Sequence, residues 1–234
     1  MTPNRVKHRV KRCLIVTAVE AERAAVERGL PEDSRVNVTL LVGGVGAASA
    51  AAATAAALAG AGVDIDDIDV VISAGIGGAF PHAAQIGDLL VAERIIAADL
   101  GADGPEGFQS VEELGFGTAG YGALPLDGLK PVTGISATGT TGITVVRGDL
   151  LTVNTATGTA ERAAWLHARH PGAVGEAMEG YGVAVAAARF GRPVAEVRAV
   201  SNLIGPRDRA AWRIGAALDV LAAAAPSIVE GLSP

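Results

Sequence analysis

The chain has 234 residues, of which half are hydrophobic and 3% are aromatic, and its formal net charge is −6 at pH 7. This length fits one α/β domain and leaves little room for two. The acidic balance argues against nucleic acid as a partner, because nucleic-acid-binding surfaces concentrate basic residues.

The first half of the chain alternates predicted strands with predicted helices. In chain order we expect a buried strand at 13–18, a helix at 20–28 that Gly29 closes, a strand at 35–42, an alanine-rich helix at about 47–61, a short apolar strand at 69–73 and a strand at 88–96. Residues 1–12 are expected to form a flexible basic tail before one domain at 13–234.

The second half continues this alternation after a segment with no clear period. Residues 100–129 are rich in Gly and Pro and predict an irregular surface segment that serves function or an interface. Then come strands at 130–136 and 142–146, a helix at 159–170, a strand at 173–178, a helix at 180–190, a strand at 193–201 and a long helix at 207–230 that Pro226 could interrupt. The alternation predicts a three-layer α/β/α domain, whose site collects at the carboxyl ends of strands.

The single cysteine and the apolar segments bear on the compartment. Cys13 lies within an apolar run, where a buried and unreactive thiol is expected. One cysteine excludes an intramolecular disulfide, which suits a reducing compartment. The alanine-rich segment is too short and too weakly hydrophobic for a membrane span. We therefore expect a cytoplasmic protein without a membrane partner.

Two glycine motifs follow predicted strands. Residues 44–49 read Gly-Val-Gly-Ala-Ala-Ser and resemble a dinucleotide-binding turn, with Asp64 and Asp66 at the distance of a ribose-binding acid. Close packing of a helix on a sheet explains the same small residues equally well. Gly75, Gly77 and Gly78 either expose backbone N–H groups to a ligand or form a plain turn.

Two polar motifs also lie at predicted strand ends. Glu179 follows Met178 at the mouth of an apolar strand, where a carboxylate can accept hydrogen bonds from two ribose hydroxyls. The alternative is an exposed helix cap. Ser201 and Asn202 end another apolar strand, either as a turn or as groups that bind a ligand.

These motifs, with Thr-Ala-Val-Glu-Ala-Glu at 17–22, resemble the nucleosidase branch of the nucleoside phosphorylase-like superfamily. The resemblance covers about residues 13–224 and implies a central mixed β-sheet and a nucleoside substrate. It also implies that Glu22 orients the attacking water and that the sugar and base are bound by Gly75, Gly77, Gly78, Met178, Glu179, Ser201 and Asn202.

Two departures narrow the expected chemistry. Phosphorylases of this superfamily carry an arginine before the glycine loop, whereas this chain carries Ser73, which favours water over phosphate as the nucleophile. Adenine-cleaving nucleosidases carry an aspartate where this chain carries Asn202. Because O6 and N7 of a 6-oxopurine are both acceptors, the amide of asparagine suits hypoxanthine as the leaving group. This combination resembles the futalosine hydrolase family, whose product feeds a route to menaquinone.

Several alternatives remain open at this point. A methylthioadenosine/S-adenosylhomocysteine-type nucleosidase or a purine nucleoside phosphorylase shares the motifs, and a non-catalytic nucleoside-binding module would not need Glu22. Phe80, Phe108 or Trp212 is a candidate for the apolar wall of the base site, with core or surface packing as the alternative for each. Arg207 or Arg209 is a candidate for binding a carboxylate on the substrate's tail, with a solvated face as the alternative. No cofactor and no metal are expected, since the histidines lack ligand spacing. The family implies a homo-oligomer.

Overall fold

The computed structural model describes residues 12–33, 36–60, 68–126, 129, 132–135 and 141–232. Residues 1–11 of the predicted tail and the acids Asp64 and Asp66 lie outside these ranges, while the last residue of that tail, Arg12, begins the first strand. Within them the helices are α1 (Glu20–Gly29), α2 (Ala47–Leu58), α3 (Ala160–Arg169), α4 (Gly180–Arg189) and α5 (Ile214–Glu230). The strands are β1 (Arg12–Thr17), β2 (Asn37–Val42), β3 (Val70–Ala79), β4 (Leu89–Ala97), β5 (Gly101–Gly104), β6 (Gly107–Ser110), β7 (Gly120–Gly122), β8 (Val132–Ile135), β9 (Thr141–Ile143), β10 (Val145–Thr152), β11 (Ala173–Ala177) and β12 (Val194–Leu203).

The main sheet is mixed, as expected. Its strand order is β11-β10-β4-β12-β3-β1-β2, and β7 pairs with β4. Strands β1, β2, β3 and β12 run parallel to one another, while β4, β10 and β11 run in the opposite direction. β11 also pairs with β3, which closes five strands into a ring. The carboxyl ends of β3 and β12 therefore lie beside β11.

Helices cover both faces of the sheet, which confirms the α/β class. α2 and α4 pack together on one face, where Ala50 and Val183 contact Leu14 and Val71 of the sheet. α1 and α5 pack on the other face, in the core that contains the buried thiol of Cys13. Burial raises the pKa of this thiol, so it is an inert core group, as predicted.

The C-terminal helix is shorter than predicted. α5 begins at Ile214, because Arg209–Ala211 form a separate 3₁₀ turn that the Asp208 carboxylate caps through the N–H of Ala210. Residues Arg209–Glu230 are long and apolar enough to cross a membrane by length and composition alone. However, α5 buries an apolar face in the protein core.

Pro226 lies inside α5 and does not interrupt it. Proline lacks the N–H that would bond to the carbonyl four residues earlier. That carbonyl belongs to Ala222, and it lies against Gly29 at the end of α1, where a Cβ would overlap it. Gly29 thus ends the helix as predicted, and its physical role is a close approach between two helices.

Two strand predictions and the prediction of one irregular segment were wrong. β3 does not stop before the glycine cluster but continues through it to Ala79, because its glycines fit between β12 and β11. β10 reaches residue 152, well past the predicted end at 146, and a register shift at Gly148/Asp149 interrupts its apolar pattern. The segment predicted as irregular forms the β5–β6 hairpin and β7, whose glycine-rich strands lack alternating hydrophobic residues.

Candidate active site

Glu22 lies at the amino-terminal end of α1 and is 3% exposed. Its Oε2 atom accepts hydrogen bonds from the N–H groups of Ala18 (2.8 Å) and Val19 (3.2 Å). Its Oε1 atom accepts from the N–H of Ile76 in β3 at 2.9 Å. A carboxylate is favoured here because it satisfies N–H groups that a helix start leaves unpaired. The three bonds fix its orientation towards Gly75.

A buried arginine, which the sequence analysis did not identify as a site residue, lies opposite Glu22. Arg198 of β12 is 1% exposed and its Nε donates to Glu196 at 2.9 Å. One terminal nitrogen donates to the Ser73 hydroxyl at 2.7 Å, and the other lies 3.2 Å from Glu179. All three nitrogens of the guanidinium are therefore committed to neighbouring side chains.

The carboxylates around Arg198 set its charge state. Burial lowers the pKa of Arg198, but the nearby carboxylates of Glu196, Glu179 and Glu22 outweigh burial and raise it. Burial raises the pKa of Glu196, although Arg198 opposes this. Since the three acids surround this one guanidinium, the cluster is not an attractive environment for a further anion.

Glu179 sits at the junction of β11 and α4 and is 6% exposed. Its Oε1 accepts from the N–H of Gly46 at 3.1 Å, and its Oε2 accepts from the N–H of Met178 at 3.3 Å. The glycine motif at 44–49 therefore donates a backbone hydrogen bond to the carboxylate of Glu179. Gly46 has a φ of 91°, a value that favours glycine, which places its N–H at the site.

Gly75 separates Glu22 from Arg198. A Cβ at this residue would lie 2.5 Å from Oε1 of Glu22 and 2.7 Å from a terminal nitrogen of Arg198. Such distances are too short for real contacts, so only glycine lets the two charged groups approach here. The glycine motif thus acts inside a strand, where a close approach requires it, and not as a turn.

Ser201 and Asn202 lie at the end of β12, where the register with β3 shifts. The hydroxyl of Ser201 lies 2.9 Å from Oδ1 of Asn202 and 3.2 Å from the Gly77 carbonyl. A donor on Oδ1 orients the amide so that Nδ2 is directed away from Ser201. This Nδ2 lies 3.1 Å from where a Cβ of Gly78 would be.

β3 connects the two ends of the site. Glu22 bonds at Ile76, while Asn202 is the register partner of Gly78. Because a strand rises about 3.3 Å per residue, these two ends are within about 10 Å of each other. The predicted acid and amide therefore both contact the carboxyl-terminal half of β3, and the space between them is the candidate cleft.

The remaining predicted residues divide into two groups. Trp212 comes directly after the 3₁₀ turn. It lies beside Ser201, because the N–H of the residue after Trp212 donates to the Ser201 carbonyl at 2.8 Å. The exposed guanidinium of Arg207 lies 5.8 Å from the centre of the Trp212 ring. The structure therefore brings Trp212 and Arg207 near Asn202. Phe108 instead packs edge-on against Trp165, with Arg169 4.7 Å from its ring centre. No described contact joins it to the cleft.

The histidines and acids offer no metal cluster in the described parts of the chain, where no three His, Cys, Asp or Glu side chains converge on one point. The rings of His82 and His167 lie with their centres 4.3 Å apart and their planes tilted by 50°, close to Phe80. Phe80 belongs to the buried apolar cluster that also contains Leu151 and Ile204.

Comparison with known proteins shows the family of this chain. A family model described as the phosphorylase superfamily matches residues 8–232. Futalosine hydrolase from Streptomyces coelicolor is 52% identical over 89% of this chain and 91% of that protein. Futalosine hydrolase from Acidothermus cellulolyticus is 47% identical over 89% of this chain and 86% of that protein.

A solved structure shows the same fold at low identity. The native futalosine hydrolase of Helicobacter pylori superimposes with a TM-score of 0.73, covers 95% of this chain and 99% of its own, and is 17% identical. The fold, the matched family model and the identity to two relatives agree. The chain belongs to the phosphorylase superfamily and, within it, to the futalosine hydrolase family.

Proposed function

We propose that this enzyme hydrolyses the N-ribosidic bond of futalosine, releasing hypoxanthine and dehypoxanthine futalosine for menaquinone synthesis. One observation carries the proposal: a fixed carboxylate, Glu22, lies at one end of a cleft whose other end holds the amide of Asn202. The first group suits activation of water, and the second suits a 6-oxopurine as the leaving group. Hydrolysis of an N-glycosidic bond needs both.

The charges of the cleft favour water over phosphate. A phosphorylase needs cationic donors that are free to pair with a phosphate dianion. Here Ser73 occupies the predicted phosphate-arginine position, and Arg198 already contacts Ser73, Glu179 and Glu196. Three carboxylates beside that guanidinium would repel a dianion, whereas neutral water enters without this cost.

The reaction at C1′ divides between two acids. Glu22 acts as a general base: it accepts a proton from water while the oxygen of that water bonds to C1′. Glu179 accepts hydrogen bonds from the ribose hydroxyls, and Met178 beside it packs against the sugar. The bond between C1′ and N9 breaks, and its electron pair leaves with the base. Fixing the sugar between these groups avoids much of the entropic cost of the encounter.

Asn202 stabilises the departing base. Its Nδ2 donates to the N7 and O6 edge, while the Ser201 hydroxyl holds its Oδ1. An amide donates a hydrogen bond but is a poor acid, so the base takes its proton from solvent. Preorganised donors of this kind stabilise charge that develops in the transition state.

Trp212 and Arg207 are proposed to contact the carboxyphenyl tail of futalosine. They project from the segment that follows Asn202, and the guanidinium lies 5.8 Å from the indole ring centre. The phenyl ring of this tail would pack against Trp212, and its carboxylate would pair with the guanidinium of Arg207.

The test is release of free base from futalosine, inosine and methylthioadenosine, with and without phosphate. We expect hypoxanthine from futalosine at a rate that phosphate does not change, and ¹⁸O from labelled water at C1′ of the product. Release that requires phosphate would identify a phosphorylase. Release of adenine from methylthioadenosine in preference to futalosine would identify the other nucleosidase activity.

We also propose that the enzyme acts as a homo-oligomer in the cytoplasm. Phe116 and Leu100 are 83% and 40% exposed on the segment that carries β5, β6 and β7, and large exposed apolar side chains favour association. Light scattering should give at least twice the chain mass, and Phe116→Glu should lower it. A monomeric wild-type protein would contradict the proposal.

A further inference from the structure

Glu176 is a buried acid that the mechanism above does not use. It belongs to β11 and is 6% exposed. Its Oε1 accepts from the N–H of Thr157 at 2.7 Å, and its Oε2 accepts from the hydroxyl of Thr157 at 2.6 Å. Each carboxylate oxygen keeps a second lone pair after these bonds. A buried carboxylate with acceptor capacity to spare is costly unless a further donor uses it.

Strand register places this acid in one row with Asn202. Gly78 of β3 pairs with Asn202 on one side and with Glu176 on the other. Adjacent strands lie about 4.8 Å apart, so the outer two backbones are about 10 Å apart. Directly opposed residues direct their side chains to the same face, and the face of Gly78 is the one that Asn202 Nδ2 occupies.

The strip between the two side chains is apolar. Gly78 has no Cβ, and Ile204 lies 3.0 Å from the position that a Cβ would take. Leu151, the register partner of Glu176 on β10, belongs to the same apolar cluster as Ile204. A flat heterocycle fits such a surface, with an amide at one end and a carboxylate at the other.

The hydrogen-bonding edge of hypoxanthine matches this row. N7 and O6 are acceptors, whereas N1 carries a proton on the far side of O6. An amide at the N7 side and a carboxylate at the N1 side satisfy the whole edge. Adenine differs because its N1 is an acceptor, which a carboxylate repels. Asn202 alone does not distinguish the protonated N1 of hypoxanthine from the unprotonated N1 of adenine.

We infer that Glu176 is a specificity-determining residue that accepts the N1–H of the 6-oxopurine and so disfavours 6-aminopurines. The inference rests on the proposed function, because it requires the base to lie against Asn202. Thr157 holds the carboxylate in place, which explains why the loop at 153–158 packs where it does. Burial raises the pKa of Glu176, and the two bonds from Thr157 oppose this rise.

The experiment compares kcat/KM for futalosine with kcat/KM for its 6-amino counterpart. Glu176→Gln introduces an amide that can donate to N1 of adenine or accept from N1 of hypoxanthine. The ratio of the two values should fall by about 10- to 100-fold, the range that one mismatched buried hydrogen bond produces. Glu161→Gln, on the exposed start of α3, makes the same chemical change away from the cleft and should leave the ratio unaltered.

The possible results distinguish failure of this inference from failure of the proposed function on which it rests. If Glu176→Gln lowers both values equally, Glu176 has only a structural role and the inference is wrong, although hydrolysis stands. If the wild-type enzyme releases base from neither substrate, the proposed function fails and this inference fails with it.

A measurement on the wild-type enzyme covers the case in which the variant does not fold. Hypoxanthine labelled with ¹⁵N at N1 is bound to the enzyme, and its N1–H is observed by proton NMR. A hydrogen bond to a carboxylate should move this proton downfield of its position in water and slow its exchange. An N1–H that exchanges as in free hypoxanthine would overturn the inference.

Discussion

Glu22→Gln tests the geometry of the proposed general base in two ways. The carboxylate accepts three backbone N–H bonds, two on Oε2 and one on Oε1. Glutamine keeps at most the two bonds on one side, because its NH₂ must then face the N–H of Ile76. Leaving one buried N–H opposite another donor costs about 1–3 kcal/mol of unfolding free energy. Loss of the general base should also lower kcat about 10²- to 10⁴-fold.

The assays are urea unfolding and initial rates of hypoxanthine release. Glu20→Gln is the matched control, since it makes the same change two residues earlier on α1, where the side chain is 68% exposed beside Arg23. It should alter neither the unfolding midpoint nor kcat by a measurable amount. If Glu22→Gln unfolds at the wild-type urea concentration, the backbone bonds are not formed as described. If it also keeps wild-type kcat, Glu22 is not the base.

Three further predictions concern the base, the glycine strand and the buried acids. Asn202→Asp should shift kcat/KM towards the 6-amino counterpart of futalosine by about tenfold or more, and an unchanged ratio would exclude an amide–purine contact. Gly75→Ala should cost about 1–3 kcal/mol of unfolding free energy. It should also displace Glu22 and so lower kcat/KM about 10²-fold. The control Gly215→Ala, on an exposed part of α5, should instead stabilise the protein by about 0.5–1 kcal/mol. Burial raises the pKa of Glu196 in the folded state. The unfolding free energy should therefore fall as the pH rises from the ordinary carboxyl pKa through that raised value. Glu196→Gln should make the unfolding free energy depend less on pH in urea titrations, and an unaltered pH dependence would refute this prediction.

The layers of the fold were predictable because their signals are local. Apolar runs and alanine-rich segments identified β1, α1, α2 and α4 to within a few residues. The full length of β10 was not predictable, because Gly148 and Asp149 interrupt its apolar pattern where its register with β4 shifts. The hairpin of β5 and β6 was missed for a similar reason. Pairing between glycine-rich strands depends on neighbours that are distant in the sequence.

The site was predictable where a family motif supplied it and not elsewhere. The motifs singled out Glu22, Glu179 and Asn202, and each of them contacts or pairs with a glycine motif residue or its neighbour in the structure. Arg198 was missed because an arginine within an apolar strand gives no sign of its partners. A charged residue amid buried neighbours was nevertheless a usable signal, since an arginine is almost never fully buried unless it is paired.

The glycines of this enzyme show why chemistry and fold cannot be separated here. At three of them a polar side chain lies where a Cβ would be: Glu22 and Arg198 at Gly75, the amide of Asn202 at Gly78, and the carboxylate of Glu196 at Gly180. A turn would have exposed these positions to solvent. Placed inside β3 and at the start of α4, they let polar side chains lie close to a buried backbone, where a lower effective dielectric strengthens electrostatic interactions. The same close packing commits the guanidinium of Arg198 to Ser73, Glu179 and Glu196, so that it is not free to pair with a phosphate.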